Sequence, residues 1–154
     1  MPSPDTLINE SMPTTLVRPV GLHELALIWD SGMREFPPRL PSQPIFYPVI
    51  NAEYARQIAR DWNTRDEKSG FAGFVTEFAI DSGHIAKFAP HVVGASQHQE
   101  YWILAEELAA FNKAIPDRIR VREAFFGPCF VGSVPDAYAL KAAKRTEASP
   151  WFGE

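Results

Sequence analysis

Four of the chain's fourteen prolines fall between positions 37 and 44, in REFPPRLPSQP. Proline fixes φ and lacks an N–H, so this stretch suits neither a helix nor a central strand. It predicts a stiff surface loop that separates two structured segments. Before it, TLVRPVG from Thr15 to Gly21 reads as a short strand stopped by Pro19 and Gly21. HELALIWDSG follows, with Leu22, Leu25, Ala26, Ile28 and Trp29 at helical spacing and Gly32 closing it. After the loop IFYPVI opens a β-rich run, in which Pro48 argues for an edge or a strand end.

Asn51 has the chemistry of an N-cap, and Tyr54, Ala55, Ile58, Ala59 and Trp62 recur at three and four, so NAEYARQIARDWN predicts a helix. RDEKSG reads as a polar loop. In GFVTEFAID, Phe74, Thr76, Phe78 and Ile80 alternate with Val75, Glu77, Ala79 and Asp81, the period of a strand. SGHIAKFA predicts a turn or short helix, and HVVGA and QHQEYWI look extended. LAEELAAFNKAI carries Leu104, Leu108, Phe111 and Ile115 on one stripe, a helix ended by Pro116, and IRVREAFFG is a further strand. VPDAYALKAAKRTEA predicts a final amphipathic helix starting near Pro135 or Asp136. Residues 1–13, polar and Pro-rich, read as a flexible tail before a single domain over 14–154. Strands are not regularly separated by long helices, so a doubly wound parallel sheet fits poorly. The expected class is α+β, a mixed or split sheet with flanking helices.

Composition removes several functions. Fifteen Lys and Arg against nineteen Asp and Glu give a formal charge of -4, which does not favour binding to phosphate backbones. Arg56, Arg60, Arg65 and Lys68 form a basic run, but Asp61, Asp66 and Glu67 dilute it. One cysteine, Cys129, excludes an internal disulfide and a multi-thiolate zinc site, and reads as a small buried apolar residue. His23, His84, His91 and His98 are scattered, so no metal is expected. No serine sits in a nucleophile elbow and no glycine-rich phosphate loop occurs. The N-terminus has no basic n-region or apolar h-region, and no apolar run reaches a membrane span. A cytoplasmic protein without membrane partners is expected, unless it is an effector delivered by a signal not visible here.

What remains is a set of polar residues inside strand-like apolar surroundings: Arg18 in LVRPVG, Tyr47 in IFYPVI and Glu100 in QHQEYWI. A charge in such a place is costly unless partnered or facing a cleft. The three segments resemble, in order and character, the ADP-ribosyltransferase superfamily. IFYPVINAEYARQIARDW looks like its second block, a strand running through a turn into an alanine-bearing helix; EYWILAEEL is similar to the third, where the acid heads a strand. From Leu16 to Ala124 the chain is also similar to small bacterial proteins labelled "ADP-ribosylation/crystallin" family. That label also covers all-helical ADP-ribosylglycohydrolases, whose clustered aspartates hold two magnesium ions; the seven aspartates here stand singly.

The transferase resemblance implies an ADP-ribosyltransferase-like fold and NAD as substrate, with no metal. Glu100 would grip the ribose as the catalytic acid. Arg18 would hold the adenosine ribose or diphosphate, Tyr47 would stack on nicotinamide, and Trp102 and His98, on the face of Glu100, would complete the pocket. Two departures bear on the acceptor. Tyr47 stands with Arg18 where a Ser-Thr-Ser type block is usual, and His98 occupies the place of the Gln or Glu found in arginine-modifying members. The acceptor, whether protein, nucleic acid or small molecule, is therefore left open. The alternative is a non-catalytic binding or immunity-type module that keeps the fold, with PPRLP and the N-terminal prolines as partner contacts.

Overall fold

The structure, a computed structural model, describes residues 12–93 and 98–131 and the backbone of 144–145. In chain order the elements are β1 (Pro13–Gly21), α1 (Leu22–Asp30), β2 (Ile45–Phe46), α2 (Ala52–Asp61), β3 (Ala72–Asp81), α3 (Ser82–Ile85), β4 (His91–Val92), β5 (Gln99–Glu100), β6 (Ile103–Leu104), α4 (Leu108–Lys113), β7 (Arg120–Phe126) and β8 (Lys144–Arg145). Single 3-10 turns occupy Asn63–Arg65, Glu67–Ser69 and Ala105–Glu107. The class is α+β.

The alternating strand GFVTEFAID becomes the middle of the main sheet. β3 pairs antiparallel with the whole of β1 and with β7 on its other side, and β8 adds to β7 in parallel. Both faces of β3 are covered. One carries Phe74, Phe78 and Ile80, packed with Leu16 and Val20 of β1, Leu25 and Ile28 of α1, Phe36, Phe46 and Phe111. Under the opposite face α2 lays Ala55 and Ala59 against Val17, Val75 and Phe125. Small residues let α2 come close: a Cβ added to Gly73 would lie 2.2 Å from the Ala59 carbonyl oxygen. The Asn51 side chain accepts from the Glu53 and Tyr54 amides, as an N-cap should.

A second ladder joins β2 to β5 and β6. Ile45 faces Leu104, Phe46 faces Ile103 and Val49 faces Glu100 in one unbroken register. Pro48 interrupts the strand geometry but not the pairing, since its carbonyl accepts from the Tyr101 amide at 2.8 Å. On the far side of β5, β4 places His91 opposite Glu100. Among the described residues a single bridge, Val17 to Val49, ties this ladder to β1. Beyond it the two segments part: β1 stays with β3 through Gly21, while β2 belongs to the second ladder.

Several expectations change. β1 begins at Pro13, inside the stretch read as a flexible tail, and Pro19 does not stop it: as an edge residue opposite Val75, it can forgo an N–H. The Pro-rich loop is not simply a surface feature, because it buries Phe36 completely against Phe46 and Phe78. Cys129 is exposed rather than buried. The final helix falls outside the described residues except at 144–145, where the backbone is a strand.

Candidate functional site

The fork between β1 and the second ladder is a cleft of about 670 Å³. Its walls include Arg18 from β1, Tyr47 and Val49 after β2, and Glu100 and Trp102 around β5. α2 contributes Tyr54 and Ile58, and the Pro-rich loop contributes Arg39 and Leu40. A volume of this size suits a drug- to nucleotide-sized ligand. Neighbouring strand residues face opposite sides, so Val17, Val49 and Glu100 form a row under α2. Arg18 emerges on the other side, its guanidinium 4.6 Å from the Phe46 ring centroid. The fork brings both sides into one hollow.

Glu100 is 8% exposed and surrounded by rings. Trp102 Nε1–H donates to Glu100 Oε2 at 3.1 Å, and the Tyr54 hydroxyl lies near the same carboxylate. His91 stacks on Trp102 with centroids 3.8 Å apart, and Tyr47 meets Trp102 edge-on. Burial pushes the Glu100 carboxyl above the usual range; the Trp102 bond, the His91 charge and the Tyr54 hydroxyl pull it back only in part. The Tyr54 hydroxyl rises in turn, through burial first and then the nearby Glu100 charge.

Arg18 is held in place. Its Nε and Nη2 donate to the two carboxylate oxygens of Glu24 at 2.8 and 2.9 Å, and Nη1 donates to the Tyr47 carbonyl at 3.2 Å. Glu24 is the acid of the first turn of α1.

Four of the five residues singled out in the sequence therefore line one hollow: Arg18, Tyr47, Glu100 and Trp102. His98 does not join its lining; it stacks flat on the Tyr54 ring, 4.4 Å away, and steadies that ring. The sequence reading missed Tyr54, His91, Glu24 and Arg39. Tyr54 and Trp62 were read as parts of an apolar helical stripe, yet Trp62 is 57% exposed and lines the cleft. A hydroxyl and an indole among alanines were the available signal. Of the basic run, Arg56 is taken by Glu53 and Glu123, and Arg60 by Asp61.

Among the described residues no group of His, Cys, Asp and Glu could hold a metal ion, and no helix is long and apolar enough to cross a membrane. Comparison of the chain with family models, with curated proteins and with solved structures finds no match.

Proposed function

We propose that this chain is an ADP-ribosyltransferase-like enzyme that cleaves the nicotinamide–ribose bond of NAD, passing ADP-ribose to an acceptor or to water. The observation that carries the reading is Glu100, a buried carboxylate held by the Trp102 indole beside the Tyr54 hydroxyl in a nucleotide-sized cleft. As the bond breaks, its electron pair leaves with nicotinamide and positive charge grows at the ribose C1′. A fixed carboxylate gripping the ribose hydroxyls stabilises that charge, and more strongly where water is excluded. The acceptor then adds at C1′ and gives up a proton. Tyr47 and Trp102 offer apolar ring surface to the cationic nicotinamide.

Two measurements test this. NAD at one hundred times its dissociation constant should stabilise the protein by roughly 2.7 kcal/mol in a thermal melt. Wild type should release nicotinamide and Glu100→Gln should be slower by about 100-fold or more. Equal rates would remove Glu100 from the chemistry.

A second reading, a binding module without turnover, draws on Arg18, whose three nitrogens already meet protein acceptors. It expects the NAD-dependent shift in melting and no nicotinamide release.

A further inference from the structure

Arg39 sits in the most proline-dense stretch of the chain, yet its side chain is only 7% exposed. Its Nη2 donates to the Pro37 carbonyl at 3.2 Å and stays 3.9 Å from Glu24 Oε2, outside hydrogen-bond range. Its Nε has no partner among the described residues. Glu24 has already given both oxygens to Arg18. Two guanidiniums thus share one carboxylate, and both lie over the Phe46 ring, 4.6 and 5.3 Å from its centroid.

Such an arrangement costs stability. A buried donor left unmade and two like charges close together each disfavour the folded state, and an apolar side chain of similar volume would avoid both. Burial, then the neighbouring Arg18 charge, push the Arg39 guanidinium below its usual range, and Glu24 offsets this only in part. The group remains a cation. It lines the cleft with donor capacity unused, whereas Arg18 beside it is engaged at all three nitrogens.

We propose that Arg39 anchors a phosphate-type oxyanion in the cleft, with Arg18 positioned by Glu24 as the second cation of the subsite. A carboxylate already fills the Glu24 place, so the surplus is one positive charge and a buried Nε donor without a partner, which a phosphate or diphosphate group completes. Identifying that group as the diphosphate of NAD rests on the function proposed above; the anion site itself does not.

The full chain is titrated with inorganic pyrophosphate and with ADP-ribose, using nicotinamide as a phosphate-free control, for wild type, Arg39→Lys and Arg39→Met. Wild type binds both phosphate compounds. Arg39→Met weakens each by about tenfold or more and leaves nicotinamide binding unchanged, while Arg39→Lys, keeping charge without the fork, falls between. Ligand-free Arg39→Met melts at or above wild type, a result that a structural role for the arginine does not allow. The proposal is overturned if pyrophosphate does not bind wild type, if Arg39→Met binds as wild type does, or if its ligand-free melt drops by several degrees. Nicotinamide release that persists without Arg39-dependent pyrophosphate binding sinks this inference and leaves the enzyme reading standing. Arg39-dependent binding without any release does the reverse.

Discussion

The sheet of β1, β3 and β7 and the ladder of β2, β5 and β6 use similar apolar and aromatic residues to opposite ends. In the first, strands of seven to ten residues run in long registers and both faces of β3 are covered. In the second, strands are two residues long, Pro48 breaks the geometry, and Tyr47, Trp102 and Leu104 stay partly in solvent. The first carries the stability. Each keeps a buried carboxylate, but Glu123 of the first is paired with Arg56 whereas Glu100 of the second is held by rings, and the main sheet anchors that ladder through Val17 and Val49. Site residues gather where the ladders separate, since that is where side chains converge without backbone filling the space.

The contrast between the covered sheet and the open cleft breaks if truncations in its core and on the cleft wall cost the same. Phe74→Ala in β3, at a fully buried position, should lose about 3–5 kcal/mol, measured by denaturant unfolding. Trp62→Ala on the cleft wall removes a larger side chain but should cost under about 1 kcal/mol, because more than half of it is already in water. Equal losses would mean that the cleft wall is part of the core.

Next in size is Glu100→Gln, which should slow nicotinamide release by about 100-fold while leaving the fold more stable wherever the wild-type carboxyl is ionised. The sign follows from the raised carboxyl. A carboxyl with a folded value above its unfolded one stabilises the fold when protonated, and that contribution is lost as pH rises through the folded value. Above the folded value the ionised wild-type group is therefore a burden that glutamine lacks. Melts of the two proteins should differ most at the alkaline end of the range and converge on acidification. A wild type that melts higher at every pH would show that the carboxylate is structural.

Arg56→Met probes the α2 side of the main sheet. Arg56 Nε reaches both oxygens of Glu123 on β7, at 3.0 and 2.7 Å, and Glu123 is buried. Removing the cation leaves that carboxylate unpaired. Arg56 is one-third exposed, so water relieves part of the cost and about 1–2 kcal/mol is expected in unfolding experiments. Glu123→Gln in the same background should recover much of it.

Legibility in the sequence followed the same division. The alternation of β3, the three-and-four spacing of α2 and the Asn51 cap are local signals, and they located the main sheet and its helix. Arg18, Tyr47, Glu100 and Trp102 stood out because polar or ring-bearing groups interrupt apolar strands, and they do share a cleft. Arg39 and Glu24 gave no such signal. One lies in a loop and the other on the first turn of a helix, both ordinary places for a charge; only the tertiary path of the Pro-rich segment carries Arg39 under cover. His91 is legible only from its pairing with Glu100 across a hairpin. Pro13 was misread because proline is compatible with the end of an edge strand, a setting that depends on which strand lies beside it.

The smallest effect is the most specific. Trp102→Phe keeps a ring to stack on His91 and to meet Tyr47, and removes the Nε1–H that donates to Glu100 together with the smaller ring that carries it. The carboxylate itself stays, with the Tyr54 hydroxyl beside it, so the rate at high pH should fall by about tenfold, the worth of one hydrogen bond to a charged group. Its pH dependence moves more clearly. The lost donor is a cause that lowers the Glu100 carboxyl, so its removal lets burial raise that carboxyl further. If nicotinamide release needs the ionised acid, the acid limb of the profile shifts to higher pH in Trp102→Phe. Tyr54→Phe, which removes the neighbouring hydroxyl that also lowers the carboxyl, shifts it the same way, and the double variant shifts it furthest. A limb that stays in place in all three would mean that the ionisation controlling the rate belongs to another group, and that the ring-held carboxylate is not what distinguishes this half of the molecule.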